Sequence, residues 1–372
     1  MFEIVWFKNN HEQRLYWLKF GLMQLHKLKQ IKFIEKDNSE LHKEDIHHKI
    51  VGHEHRHTAI IKVRINDVYK FALIDAEDSF FQLCPLIQYV DLYYCSAYNT
   101  DFFSYKKFDV KLLWQNEDDV LVYRTLATKI INDFGVYFHK VRKLFPIGPN
   151  LDPPVKTRLY ITNKLINLQN KIYKLFNKGN NWQEGYILFE KRYNKLLSYR
   201  NLKVKYDIVL LDSLWGWPEH RIKLHKNLII LSKKYNILSE LRYNENIQSS
   251  NIDPTIFPLI SNPIGENYEY KLASSKLAIF ATGFHFGWRN IVPFSLMIGL
   301  PVYMDEVILE PYFDLGEFKI YTNKDEFNDI ESILNSLDSS NLEIIKKHNQ
   351  TQFEKYLSPI ACAKHLVNSI SE

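Results

Sequence analysis

Cysteine is scarce: Cys84, Cys95 and Cys362 are the only three in 372 residues, and no two form a C-x-x-C pair. Neither a disulfide scaffold nor a cysteine-based structural zinc site is encoded, and a reducing compartment is the expectation. Charge of one sign is not in excess, because 48 Lys and Arg face 43 Asp and Glu for a net +5. So small an imbalance gives no field for general nucleic-acid binding, and no nucleic acid partner is expected. Long apolar runs are missing too. The start, MFEIVWFKNN, reaches Lys8 before any signal-peptide core is built. The least charged stretch, 277–304, is broken by Gly283, His285, Gly287, Arg289, Pro293, Gly299 and Pro301, so it reads as a buried strand and helix rather than a membrane span.

What is present belongs to a folded chain: 46% hydrophobic and 24% charged residues, with length enough for two domains of about 150 residues each. In the first half, short apolar runs at Ile4–Phe7, Ile31–Ile34, Ala59–Ile65, Phe71–Ile74 and Leu92–Cys95 predict strands. Leu15, Leu18, Leu22 and Leu25 between the first two predict a helix. That alternation predicts an α/β domain over 1–150. Four prolines and a glycine between Phe145 and Pro154 interrupt regular structure, and a connector is expected over 151–205. From Lys156 to Lys205 there are twelve Lys or Arg against Glu184 and Glu190, a basic helical segment. Its two readings are a solvated helix face around an apolar stripe and a surface drawn to an anionic membrane. A second α/β pattern opens with the run Tyr206–Asp212 and a helix over Glu219–Tyr235; this domain is expected over 206–340, with a helical segment over 341–372.

The segment Lys276–Met304 divides into apolar run, glycine loop, short helix and second apolar run, the pattern of a βαβ unit. Pro293 suits the first turn of its helix, and Gly299 the left-handed position past its end. The loop from Gly283 to Arg289 then lies at a strand's carboxyl end, where open α/β sheets bind ligands. Gly283 and Gly287 would let a ligand approach the backbone, and Arg289 with the amides at the helix start favours a phosphate group. A tight turn with a surface arginine is the competing reading.

In that order, Ala273-Ser-Ser-Lys-Leu-Ala-Ile-Phe280, Gly283, Arg289 and Gly299-Leu-Pro-Val302 resemble the donor-binding domain of GT-B glycosyltransferases, including exostosin-type members. Tyr206–Tyr235, with Trp215-Gly-Trp-Pro-Glu-His-Arg221 at its loop, is similar to the opening of that domain, and Phe318–Phe327 to a later strand and helix. Over the first half the likeness is architectural only. The resemblance implies two Rossmann-like domains facing a cleft, a nucleotide-sugar donor at the second and a glycan or lipid-linked glycan acceptor at the first. It implies no cofactor and no metal: the leaving diphosphate would be met by Arg289 first, Arg221 second and Lys226 third. Family members commonly carry a glutamate five residues before the glycine of G-x-P, where it holds the donor ribose. Phe294 stands there in this chain, with Glu306 and Glu310 as substitutes further on.

An inverting reaction needs a general base from the first domain, and Asp75, at the end of the run Phe71–Ile74, is the expected one; Glu77 and Asp78 would raise its pKa by like-charge repulsion. A turn aspartate is the plainer reading. Six histidines, His42, His47, His48, His53, His55 and His57, crowd sixteen residues. On a strand, His53, His55 and His57 would share a face, so His53 is a second candidate base. A solvated loop and a metal site are the other readings, the latter implying a hydrolase. Aromatic residues make up 15% of the chain, and Trp215, Trp217, Phe284, Phe286 and Trp288 flank the ligand loops. Trp217 and Phe284 are candidates to stack on a base or sugar, against core packing. Low Gly with abundant Lys, Asn, Ile and Tyr resembles the usage of an AT-rich microbial genome, and with the family resemblance this makes surface-polysaccharide assembly by a cytoplasmic protein, free or peripheral at the inner membrane face, the expected setting. A noncatalytic glycan- or nucleotide-binding protein of the same fold is the rival.

Overall fold

The computed structural model describes residues 2–9, 11–52, 55–65, 68–145, 147–151, 182–214, 216–242 and 268–371. They form an α/β protein with two sheets in two compact units. The units are not consecutive halves of the chain. The first comprises 1–107, 129–196 and 356–372, and the second 108–128 and 197–355. Among the described residues no helix is long and apolar enough to cross a membrane.

In the first unit the predicted apolar runs become β1 (Phe2–Lys8), β2 (Ile31–Asp37), β3 (Thr58–Ile65), β4 (Val68–Asp75) and β5 (Leu92–Cys95); a short β6 (Val141–Lys143) completes the sheet. The predicted helix is α1 (Tyr16–Lys27). The strand order is β2-β1-β3-β4-β5-β6. β1 and β2 pair in parallel, as do β4, β5 and β6, but β3 runs antiparallel to both β1 and β4. The sheet is therefore mixed, because β3 and β4 form a hairpin where a crossover would have kept every strand parallel. Ile4 to Phe7 are all buried, which is why β1 reads as a continuous apolar run rather than an alternating one. Further along the chain are α2 (Thr100–Tyr105) and α3 (Glu117–Phe134).

The described part of the basic segment contains α4 (Trp182–Ser198). Its aromatic face packs on α1: Phe189 lies 4.9 Å from Tyr16, Tyr186 5.3 Å from Phe20 and Tyr193 5.6 Å from Trp17, between ring centroids. Lys191 and Lys195 stay exposed. The rest of that segment, 152–181, lies outside the described residues.

The second unit holds β7 (Tyr206–Ser213), α5 (Pro218–Leu231), β8 (Ile237–Arg242), α6 (Tyr268–Ala273), β9 (Ser275–Phe280), α7 (Ile291–Ile298), β10 (Val302–Met304), β11 (Ile320–Thr322), α8 (Ile330–Ser336) and α9 (Ser339–Gln352). Its described sheet is wholly parallel, in the order β11-β10-β9-β7-β8. Ile208, Leu210, Leu277 and Ile279 from the central strands meet Leu224 and Leu228 of α5 in one buried core. The βαβ unit read in 276–304 is present as β9, α7 and β10. Gly299 ends α7 at φ +96°, where an added Cβ would stand 2.6 Å from the Lys346 carbonyl oxygen. From β7 the chain builds β8 on one side and then crosses to β9 on the other. The switch point, where such sheets open a ligand crevice, thus lies between the carboxyl ends of β7 and β9. The last helix, α10 (Pro359–Ser371), belongs to the first unit.

Candidate functional site

At the switch point, next to the last residue of β7, stands Asp212, which the apolar run before it carries into the interior at 2% exposure. Two guanidinium groups converge on its carboxylate. Arg221, in the first turns of α5, pairs through Nη1 with Oδ2, and Arg289 donates through Nη2 to Oδ1 at 3.0 Å. Burial alone would raise the pKa of Asp212, but Arg221 and Arg289 outweigh it and hold the carboxyl far below the usual range. The triad keeps one positive charge in excess. Its two arginines differ in access: Arg221 is 2% exposed, whereas the Arg289 side chain is 20% exposed. Arg221 also donates through Nε to Gly216 O at 3.1 Å and through Nη2 to Thr282 O at 2.8 Å. It braces the loops after β7 and β9 from within. His225, one turn along α5, lies within 2.6 Å of Ser239 Oγ through Nδ1; burial pushes its pKa down to about 4, so it is neutral there.

A second buried carboxylate, Asp305, follows β10. It accepts from Thr282 N at 2.7 Å, Thr282 Oγ1 at 2.9 Å and Asn323 Nδ2 at 2.8 Å, and it lies 2.8 Å from His220 Nε2. These partners, His220 foremost, overcome the effect of burial and lower its pKa. Thr282 joins the two clusters, since its carbonyl accepts from Arg221 while its amide and hydroxyl serve Asp305.

An aromatic group packs on His220 and on the loops after β7 and β9. Trp114 stacks on His220 with centroids 4.3 Å apart and planes at 22°, and meets Trp217 edge-on at 4.7 Å. Tyr123 packs on Phe286 at 4.7 Å and Trp217 at 5.5 Å, and its hydroxyl is 3.2 Å from His285 Nδ1. Trp217, His285 and Phe286 all hold left-handed backbone, at φ +50°, +52° and +62°. Such conformations are unfavourable for non-glycine residues and are stored at sites that the surroundings over-determine.

In the first unit, Asp75 ends β4 as expected, yet it is 1% exposed. Tyr93 donates its hydroxyl to Oδ2, and the Glu77 amide donates to Oδ1 at 2.8 Å. Burial pushes its pKa up to about 6, so desolvation and not repulsion from Glu77 and Asp78 is the cause. Asp75, the expected general base, is thus a buried carboxylate with both oxygens hydrogen-bonded. Glu77 instead accepts from Arg56 Nε at 2.6 Å and sits 3.5 Å from Arg14 Nη1. The histidine pattern is likewise corrected: β3 begins at Thr58, so His55 and His57 lie in the turn before it and do not share a strand face. His57 has φ +58°, and burial with Arg14 and Arg56 nearby pushes its pKa down to about 3. His53 lies outside the described residues. Among the described residues no group of three or more His, Cys, Asp or Glu is set to hold a metal ion.

The structure thus brings Arg289, Arg221 and Trp217 together, around acids that the sequence reading passed over. Arg221, expected at a phosphate, is turned inward. Gly283 packs against its own loop: a Cβ there would come within 2.4 Å of the Gly287 carbonyl oxygen, so the loop closing on itself requires a glycine at 283. Trp217 meets other aromatic rings. The side chain of Phe284 and all of Trp215 fall outside the described residues. Glu310 is half-buried in the loop after β10 and Glu306 exposed, and Lys226 is exposed on α5. Phe294 is 1% exposed inside α7, edge-on to Tyr199 at 6.3 Å. Asp212 and Asp305 each end an apolar run, the same signal that singled out Asp75. Trp114 and Tyr123 carry no comparable mark in the sequence.

No protein-family model matches the sequence, and no curated protein does. Among solved structures, the N-terminal domain of Candida albicans trehalose-6-phosphate phosphatase is similar at 13% identity and a TM-score of 0.32, over 49% of this chain and 44% of that one.

Proposed function

We propose that the chain is a glycosyltransferase of the GT-B type, taking a nucleotide-sugar donor at the carboxyl end of the second unit's sheet. It passes the sugar to a glycan or lipid-linked glycan acceptor in surface polysaccharide assembly. One observation carries this reading: a parallel sheet has a partly exposed arginine, Arg289, at its switch point, fixed on a buried carboxylate. Charge that develops on a leaving diphosphate is stabilised best by a donor already oriented before the reaction, and Asp212 supplies that orientation. Arg221 is a positioning residue that holds Asp212 and the two loops. No metal is invoked. Asp75 does not carry the proposal, because its carboxylate is buried and both oxygens are engaged. Peripheral attachment to an anionic membrane at the cytoplasmic face, through 156–205, belongs to the same proposal; cosedimentation with anionic against neutral vesicles tests it.

The deciding experiment adds nucleotide sugars to the purified chain with a glycan acceptor and follows nucleotide release. Arg289→Ala is expected to lower turnover at least tenfold, about 1.4 kcal/mol of transition-state stabilisation. Unchanged turnover would remove Arg289 from the reaction. A noncatalytic glycan- or nucleotide-binding protein of the same fold is the second reading, favoured by Phe294, which stands where the resemblance expects a carboxylate. Donor binding without release under single-turnover conditions would select it.

A further inference from the structure

Residues 108–128 are separated in sequence from 197–355, yet they belong to the same compact unit. Their first part, 108–116, is without helix or strand, and α3 begins at Glu117, where Asn116 Oδ1 accepts from the Asp119 amide at 2.8 Å. Within the segment Arg124 pairs with Asp109. Its inward rings seat on the loops that follow β7 and β9 and on the first turn of α5. Phe108 lies 5.8 Å from Phe286, Trp114 stacks on His220, and Tyr123 contacts Trp217, Phe286 and His285. The outward side chains Leu113, Leu121 and Val122 are exposed, so the segment is buried on one side only.

We propose that residues 108–128 are a cap that closes the switch-point crevice, with the Trp114 ring on His220 in the place a ligand's planar ring takes, so that cap opening and ligand binding are linked. The ligand class, a nucleoside diphosphate or its sugar ester, rests on the donor reading above. Three features support the cap. Trp114 makes a near-parallel stack on His220 of the kind a nucleobase makes, and His220 is tied through Asp305 and Thr282 to the Arg221–Asp212–Arg289 cluster, whose Arg289 is partly exposed. The residues it and Tyr123 hold, Trp217, His285 and Phe286, keep strained left-handed backbone that packing on the cap helps maintain, so releasing the cap lets both loops relax. One-sided burial, and irregular backbone over 108–116, place the segment at the low-stability end of the unit, where lids are drawn from. A closed cap lowers apparent affinity by the fraction of molecules open, and weakening the cap returns it.

The test uses the full chain, with Trp114→Ala and the ring-retaining Trp114→Phe. In the free protein, amides of 117–128 are expected to exchange with solvent at least about tenfold faster than those of β7 and β9, and about tenfold faster again in Trp114→Ala, as a local opening requires. Titrated with UDP and GDP, Trp114→Ala is expected to bind about tenfold more tightly than the native chain, and Trp114→Phe in between. Cap amides as protected as the sheet, or weaker nucleotide binding by Trp114→Ala, would overturn the cap; the latter would make Trp114 a ligand contact. If neither nucleotide binds any form, the donor reading and the ligand half of this proposal fail together, while the exchange result still decides whether the cap opens.

Discussion

Asp212 holds two guanidinium groups on one carboxylate, and the two are not equivalent. Arg221 is enclosed and braces three backbone and side-chain acceptors, whereas the Arg289 side chain is partly exposed. Stability and function should therefore separate. Breaking a buried pair leaves an uncompensated charge and costs about 3–5 kcal/mol, so Arg221→Ala and Asp212→Asn are expected to lower the urea-unfolding free energy by that order. Arg289→Ala is expected to cost about 1 kcal/mol or less, nearer the range for accessible pairs, and to show its main effect on ligand. A loss from Arg289→Ala equal to that from Arg221→Ala would make both arginines structural. The acids also differ in their pH dependence. Between about pH 4 and 6 the folded protein keeps the Asp75 proton that the unfolded chain has released, so stability falls as pH rises through that window. Asp75→Asn is expected to reduce the fall, by up to about 3 kcal/mol, in unfolding measured on either side of it. Asp212 acts in the other sense: its contribution is in place above about pH 4 and is lost as pH drops toward its depressed folded value.

At the scale of elements, the sequence was most legible where apolar runs and backbone punctuation agree. β1, β2, β4, β5 and β7 follow from apolar runs, and the β9–α7–β10 unit from its runs together with Pro293 and Gly299. Gly299→Ala must place a Cβ against the Lys346 carbonyl from a left-handed backbone, and is expected to lower the unfolding free energy by about 1–2 kcal/mol or more in urea titration. No measurable change would show that α7 and α9 separate easily. The hairpin of β3 and β4 was not legible, because apolar runs report burial and not strand direction. The histidine segment misled for a related reason: period two has meaning only once a strand is present, and His55 and His57 precede it. For the site, Arg289 and its loop could be read, whereas the ring contributed by Trp114 and Tyr123 depends on a tertiary return of 108–128 that no local pattern encodes.

At the scale of the molecule, each unit is assembled from distant pieces of chain. α10 closes the first unit: Trp17 Nε1 donates to Leu357 O at 2.8 Å just before that helix, Cys362 Sγ to Phe145 O at 3.1 Å, and Ser369 Oγ to Tyr94 Oη at 3.2 Å. Removing residues 356–372 uncovers one side of α1, so the shortened chain is expected to lose exchange protection in β1 and β2 while β7, β9 and β10 keep theirs; uniform protection in both units would contradict the division. The second unit holds the feature on which the functional reading depends, a parallel sheet presenting Arg289 at its switch point. Calorimetric titration of the full chain with a panel of nucleoside diphosphates and nucleotide sugars tests this most directly. Saturable binding of at least one of them, weakened about tenfold or more in a folded Arg289→Ala variant, is the predicted result. Binding of none, or equal binding by the variant, would contradict it.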